Sequence, residues 1–378
     1  MTKDAPGPSP LSDTLSHHLL TQLSLEEPVP TLSTTTASPT TLADAPKNPR
    51  ARKDPHPFQF GTRLLTDPEA VFSHNAWDHV ETDASYQASA AASIALQRSR
   101  PVDAFNKRRF NSNPAKWWDA FYKNNTTNFF KDRKWLQQEF PLLDQVTLPD
   151  AGEVRIVELG CGVGNTLFPI LRLNRNPTFC IHGCDFSKKA VELVKAEKLF
   201  VEEAEKGTVV ASVYDLAEEG ALPEGIQEGT VDAVIMVFVF SALGPDQWTA
   251  ALANVRTMLK KGGKVLFRDY GRGDLTQVRF KAGRYLEENF YVRGDGTRVY
   301  FFDEDELRRI FTGETAEKKM DGEAEDCEEG SPSSSTPPAT GFGGFKINDL
   351  GVDRRLLVNR KTQVKMYRCW MQAVFEKV

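Results

Sequence analysis

Beyond Pro141 the apolar residues fall in short runs separated by amphipathic stretches of helical period. Val154 to Leu159, Phe179 to Asp185, Thr208 to Tyr214, Val231 to Phe240 and Lys264 to Asp269 read as five strands. Asn165 to Leu173, about Lys188 to Lys206, and Asp246 to Leu259 read as helices between them, with Gly262 and Gly263 terminating the last. Strands alternating with helices of this length predict a doubly wound, mostly parallel sheet. Further on, Phe290 to Phe302 predicts a hairpin turning at Arg293-Gly294-Asp295-Gly296, and Lys365 to Phe375 a last strand.

The flanking segments follow other patterns. Residues 1–55 are rich in Pro, Ser and Thr and cannot bury enough surface to offset their ordering entropy, so a disordered tail is expected. Residues 56–140 form an N-terminal extension. It begins with packing residues (Phe60, Leu64, Leu65, Val71, Phe72, Trp77) and continues as a helical section from about residue 83. That section is aromatic-rich: Phe110, Trp117, Trp118, Phe121, Tyr122, Phe129, Phe130 and Trp135. The strand–helix domain then spans 141–378, broken by an acidic, Ser/Pro-rich low-complexity insertion at 312–344.

The sharpest chemical signal is Val157-Glu158-Leu159-Gly160-Cys161-Gly162-Val163-Gly164-Asn165, which follows a predicted strand and opens a helix. Glycines there let the backbone approach a ligand closely. A dinucleotide site would read G-x-G-x-x-G; here the third glycine comes one residue early and Asn165 takes its place. Acids end the next two strands. Asp185, about 20 residues on, is placed to accept ribose hydroxyls. Asp215 can read an adenine amine, Leu216 can pack on the ring, and Val237 can cover its other face. Gly160 would lie under an amino-acid moiety. The G-x-G-x-G form after an acidic strand end resembles motif I of class I methyltransferases, which implies S-adenosyl-L-methionine.

A closer resemblance rests on longer strings: Trp118-Asp119-Ala120-Phe121-Tyr122-Lys123-Asn124-Asn125, Asn128-Phe129-Phe130-Lys131-Asp132-Arg133-Lys134-Trp135-Leu136, Phe267-Arg268-Asp269-Tyr270-Gly271, and Glu288-Asn289-Phe290-Tyr291-Val292-Arg293-Gly294-Asp295-Gly296-Thr297-Arg298. With the glycine loop, these look like the tRNA N3-methylcytidine methyltransferases of the methyltransferase-like 2/6/8 and yeast Trm140 group, over roughly residues 58 to 311 and again from about Leu350. The resemblance implies a class I, Rossmann-like sheet with an antiparallel last strand and a helical N-terminal extension. It also implies cytidine 32 of the tRNA anticodon loop as acceptor. Trp118 and Tyr122 match aromatics that close over the cofactor; Gly160, Asp185, Asp215, Leu216 and Val237 match cofactor contacts. Phe60-Gly61-Thr62-Arg63-Leu64-Leu65 and Asn75-Ala76-Trp77-Asp78-His79-Val80-Glu81 are more like the branch acting on threonine tRNAs. Some members of the group rely on an aminoacyl-tRNA synthetase or another auxiliary protein.

Charge and composition refine this picture. The net charge of −5 argues against a generic nucleic-acid coat, but not against a local basic face. Between Asp103 and Trp135 eight basic residues oppose three acids, interleaved with aromatics as phosphate contacts and base stacking require. Arg354, Arg355, Arg360, Lys361, Lys365 and Arg368 offer a second cluster that could extend this surface. The five cysteines fit no common zinc spacing, no metal is expected, and reduced intracellular thiols are the simplest reading. Neither a membrane span nor a secretory signal is visible, and a cytoplasmic location is expected.

The cofactor domain alone leaves the acceptor open: a protein, a small molecule, or a catalytically idle binding role remain alternatives to tRNA. For cytidine, the N3 lone pair needs no general base, and His74 and His79 read as packing or surface residues. Asp269, at the end of the fifth strand, is the candidate catalytic carboxylate that would stabilise the cationic product base; a salt bridge to Arg268 or Arg272 is its alternative role.

Overall fold

The computed structural model describes residues 63–313 and 342–378. The tail 1–55 lies outside them, as do residues 314–341 of the insertion, Phe60 and Cys327. The chain enters through a short strand β1 (Ala76–Asp78) and three helices: α1 (Ala84–Arg98), α2 (Ala104–Ser112) and α3 (Pro114–Asn125). Each helix starts on a side-chain cap, Asp83, Asp103 and Asn113 in turn, accepting a backbone N–H from the first turn. Next come β2 (Val154–Leu159), α4 (Leu167–Leu173), β3 (Phe179–Asp185), α5 (Lys188–Ala196), α6 (Lys198–Glu205), β4 (Val209–Val213), β5 (Val231–Val237), α7 (Trp248–Met258) and β6 (Leu259–Tyr270). A small antiparallel sheet of β7 (Tyr285–Glu287), β8 (Phe290–Val292) and β9 (Arg298–Tyr300) follows, then α8 (Glu304–Thr312), β10 (Phe345–Asn359) and β11 (Val364–Lys377).

The main sheet has eight strands in the order β1-β10-β11-β6-β5-β2-β3-β4. β6, β5, β2, β3 and β4 are parallel, and β11 joins β6 antiparallel. The expected doubly wound sheet with an antiparallel last strand is therefore present. The order of its parallel strands reverses between β2 and β5, the switch point where α/β sheets bind ligands at strand C-termini. Side chains alternate across β2: Val157 and Leu159 enter the core on one face, Ile156 the core on the other. Among the described residues no helix is long and apolar enough to cross a membrane.

Several elements depart from the sequence pattern. The expected helix 188–206 breaks at Glu197, which is extended, and the second piece turns Phe200 into the core. Gly262 and Gly263 do not end α7; they belong to an excursion between Leu259, paired with Val231, and Lys264, paired with Ala233. β10 was not expected, because its inner and outer residues mix on a ribbon that runs beyond the parallel sheet. It pairs with β11 from Phe345 to Asn359, while β11 meets β6 only from Trp370 to Glu376. The projecting half is covered by β1 and its neighbours, with Val71 and Trp77 packed on Leu356, Val358 and Tyr367. The two ends of the insertion meet, since the Phe342 N–H donates to the Ile310 carbonyl at 3.1 Å.

Candidate active site

β2, β3, β4 and β5 deliver their C-terminal ends to one edge of the sheet, and a cavity opens there. Six of the seven residues expected at the cofactor line it: Trp118, Tyr122, Gly160, Asp185, Asp215 and Leu216. The seventh, Val237, is 2 % exposed in the core beneath. β5 ends there, and the next two residues, Phe238 and Val239, line the cavity instead. Phe238 takes a left-handed φ of +57°, held by its N–H donating to the Arg268 carbonyl at 2.8 Å. Such strain in a bulky residue persists only where the surroundings over-determine it, commonly at a ligand site.

The loop after β2 supplies a cradle. Gly160 has φ +66°, and a Cβ there would meet Val239 Cγ2 at 2.5 Å. Gly162 passes beneath the Tyr122 hydroxyl, where a Cβ would lie 2.7 Å from the oxygen. Asp185 accepts from the Gly162 N–H at 3.0 Å and the Ser187 N–H at 2.8 Å, which fixes the loop against β3. Burial raises its pKa to about 6 despite those bonds. Glu158 is 1 % exposed; its Oε2 lacks a hydrogen-bond partner among the described residues, and its nearest cation is Arg133, 4.0 Å from Oε1. Burial raises its pKa to about 8.

An orphaned buried carboxyl oxygen beneath a glycine cradle fits a cationic amino-acid group such as the implied cofactor carries. A cation beside Glu158 favours its ionised form and lowers its pKa, so cofactor binding at pH 7 should release a proton. Calorimetry in phosphate and in Tris checks the sign: buffer-dependent heats should report release of up to about one proton per site. Proton uptake would contradict the assignment.

The N-terminal extension closes the cavity. Asp119 of α3 accepts from the Ser187 hydroxyl at 2.7 Å and the Lys189 N–H at 3.2 Å, capping the start of α5. Phe121 and Tyr122 pack on Val163 and Ala190, and Trp118 stacks on Tyr122 with centroids 5.9 Å apart. Past α3, the Asn165 side chain donates to the Phe130 carbonyl at 3.2 Å, and the Arg133 N–H donates to the Asn165 carbonyl at 2.8 Å. Asn165 thus does more than replace a glycine: it ties the cap to the loop. At the other end of α3, the Trp117 ring covers Gly296 in the β8–β9 turn (φ +88°), leaving no room for a Cβ.

Asp269 is fully buried and does not line the cavity. Its carboxylate accepts from the Ser241 N–H at 2.9 Å and the Tyr270 N–H at 2.8 Å. The salt-bridge alternative does not hold, because Arg268 pairs with Asp353 at 2.6 Å and Arg272 with Glu288 at 3.8 Å. Burial raises the Asp269 pKa to about 6, opposed by the Ser241 and Tyr270 hydrogen bonds and by the nearby Arg293 charge. Arg293, from the β8–β9 turn, lies over the Tyr270 ring at 5.6 Å. Sequence reasoning singled out neither Arg293 nor Glu158, Arg133, Phe238 or Val239. Arg293, Glu158 and Arg133 sit inside the quoted strings, and Phe238 and Val239 inside the predicted fourth strand, yet only the tertiary fold says which way they point. Exposed His74 meets Trp77 edge-on at 5.1 Å and His79 lies 3.5 Å from the Asp353 carboxylate, and neither lines the cavity.

The expected second basic cluster is largely neutralised. Arg354, Arg355, Lys365 and Arg368 meet Glu81, Asp78, Asp83 and Asp274 at 2.8–3.6 Å, leaving Arg360 and Lys361 exposed at the β10–β11 tip. The helical section behaves oppositely, because its acids turn inward or to local caps. Asp103 caps α2, Asp119 caps α5, and Asp132 pairs with Arg172 at 2.6 Å. Of its eight cations, Lys107 meets Glu287 at 2.9 Å and Arg133 lies inside; Arg108, Arg109, Lys116, Lys123, Lys131 and Lys134 face outward.

Residues 157–265, which hold the glycine loop and the ends of β2 to β5, match a family model described as a methyltransferase domain. The chain is 51 % identical over 85 % of its length to the tRNA(Thr) (cytosine(32)-N(3))-methyltransferase of Saccharomyces cerevisiae, covering 46 % of that longer protein. It is 45 % identical to the tRNA N(3)-methylcytidine methyltransferase trm140 of Schizosaccharomyces pombe, over 84 % of this chain and 92 % of that one. To the tRNA N(3)-methylcytidine methyltransferase Mettl2 of Drosophila melanogaster it is 39 % identical, over 86 % and 90 %. A glycine-loop cavity at the strand ends, and two relatives matched over 92 % and 90 % of their length, lead to one conclusion: the chain belongs to the S-adenosyl-L-methionine-dependent tRNA N3-methylcytidine methyltransferases.

Proposed function

We propose that this protein methylates N3 of cytidine 32 in the anticodon loop of tRNA, with threonine tRNAs as substrates. The observation that carries this reading is the cavity walled by Trp118 and Tyr122 of an extension whose outer surface is cationic while the chain as a whole is acidic. The threonine assignment rests on the named substrate of the Saccharomyces cerevisiae relative. On the same reading the protein works in the cytoplasm.

The bound cofactor supplies an electrophilic methyl group on sulfur. Asp185, Asp215 and the glycine loop would hold and orient it, with Glu158 buried behind the loop, and Trp118 and Tyr122 would exclude water. Cytosine N3 carries its own lone pair, so no side chain has to remove a proton before the methyl group passes from sulfur to nitrogen. The protein's task is to draw the base out of the loop and keep it aligned. The product base is cationic. Asp269, ionised above about pH 6, acts at one remove: it holds the Ser241 backbone next to Ala242 of the cavity wall and so positions that wall without touching the base.

Asp269→Asn should lower kcat about 10- to 100-fold while cofactor affinity changes less than about twofold. The acid limb of the wild-type kcat profile, near pH 6, should vanish in the variant. Unchanged turnover would remove Asp269 from the mechanism. The activity itself is tested by nucleoside mass spectrometry of tRNA incubated with the purified protein and labelled cofactor. Label in 3-methylcytidine of threonine tRNA is expected; label in protein extract alone would overturn the proposal.

A further inference from the structure

None of the nine residues of α2 is buried, so the helix contributes little to the core. Its inner side is held by polar and edge contacts. Lys107 pairs with Glu287 of β7, Asn111 accepts from Arg298 at 3.1 Å, and Phe110 meets Trp117 with centroids 5.3 Å apart. The outer side carries Phe105, Arg108, Arg109 and Ser112 at i, i+3, i+4 and i+7, which places them on one face. All four are exposed, Phe105 at 67 %. Neither arginine has an ion-pair partner among the described residues, although the section's acids are near in sequence. A groove lined by Ala104, Lys107, Arg108, Asn111 and Ser112 runs beside this face.

An exposed phenyl ring flanked one turn away by two guanidinium groups suits a polyanion with flat apolar faces. Duplex RNA hides its base faces, whereas an unpaired nucleotide offers both a base to stack and a phosphate to pair. The face is also tied to the catalytic side. Arg109 lies over the Trp117 ring at 5.2 Å, and the next residue, Trp118, lines the cofactor cavity.

On the reading that tRNA is the substrate, we infer that the outer face of α2 binds an unpaired nucleotide of the anticodon loop near the methylated cytidine. The base stacks on Phe105, and the adjoining phosphates pair with Arg108 and Arg109. An aromatic stack of this kind typically changes RNA affinity by roughly 5- to 150-fold.

The test uses the full chain, a threonine tRNA transcript and labelled cofactor. Phe105→Ala should raise KM for tRNA about tenfold, with kcat, cofactor affinity and thermal midpoint unchanged. Phe105→Tyr should restore the wild-type KM, because it keeps the ring, and Phe105→Leu should not. A wild-type KM for Phe105→Ala overturns the inference, as does Phe105→Leu behaving like the wild type, which would make the residue a general apolar contact suited to a protein partner. If the wild-type protein forms no 3-methylcytidine in any tRNA, the proposed function fails first; normal methylation with an indifferent Phe105 defeats this inference alone.

Discussion

Replacing Gly160 with alanine should weaken cofactor binding about 100-fold, with activity lost in proportion. Two costs combine. A φ of +66° is reached routinely only by glycine, and the Cβ penalty there is about 1–2 kcal/mol. The new methyl group would also meet Val239 Cγ2 at 2.5 Å and its Cβ at 2.7 Å. Val239 lines the cavity, so any shift that relieves the overlap moves that wall. A combined cost near 3 kcal/mol corresponds to roughly two decades in affinity. Calorimetric titration with the cofactor checks the figure, and a loss below about fivefold would show that the loop does not cradle the ligand. Gly152→Ala is the control: its φ is also positive, but nothing lies within 4 Å of an added Cβ.

The second large effect is expected at Gly296, far from the cofactor in sequence. A Cβ there would overlap the Trp117 ring, which is rigid and cannot yield as a flexible chain end would. The wedge would push α3 away from the β8–β9 turn, displacing Trp118 and Tyr122 on one side and Arg293 on the other. Gly296→Ala should therefore reduce kcat/KM by 100-fold or more, about 3 kcal/mol. A double-mutant cycle makes the cause visible. Trp117→Leu removes the ring, so the pair should lose less activity than the single losses summed, with a coupling of about 1 kcal/mol or more. Strict additivity would mean that the two residues act independently.

How much of this was legible in the sequence depended on whether neighbours along the chain or across the fold decide each feature. The parallel strands are buried on both faces, so their apolar runs stand out, and β2 and β3 begin and end where the pattern places them. The acids Asp185 and Asp215 were legible because a parallel sheet brings all strand ends to one edge. β10 was not legible. Its partners are the last strand and a segment 280 residues earlier, and neither imposes a local period on it. The wall expected at Val237 is formed by the next two residues, Phe238 and Val239, because the left-handed turn at Phe238 is held by the Arg268 carbonyl on β6. The second basic cluster failed for a similar reason, since three of the four acids that quench it, Asp78, Glu81 and Asp83, lie in the early segment of the chain.

The ribbon of β10 and β11 carries a consequence for how the molecule assembles. β11 separates β10 and β1 from the parallel sheet, so one border of the sheet hangs on the fourteen-residue strand that comes latest in its sequence order. The nucleotide-binding half can collapse while translation continues, but Val71 and Trp77 have no surface to rest on until the final strand emerges. Until then the early segment must wait, exposed, for its partner.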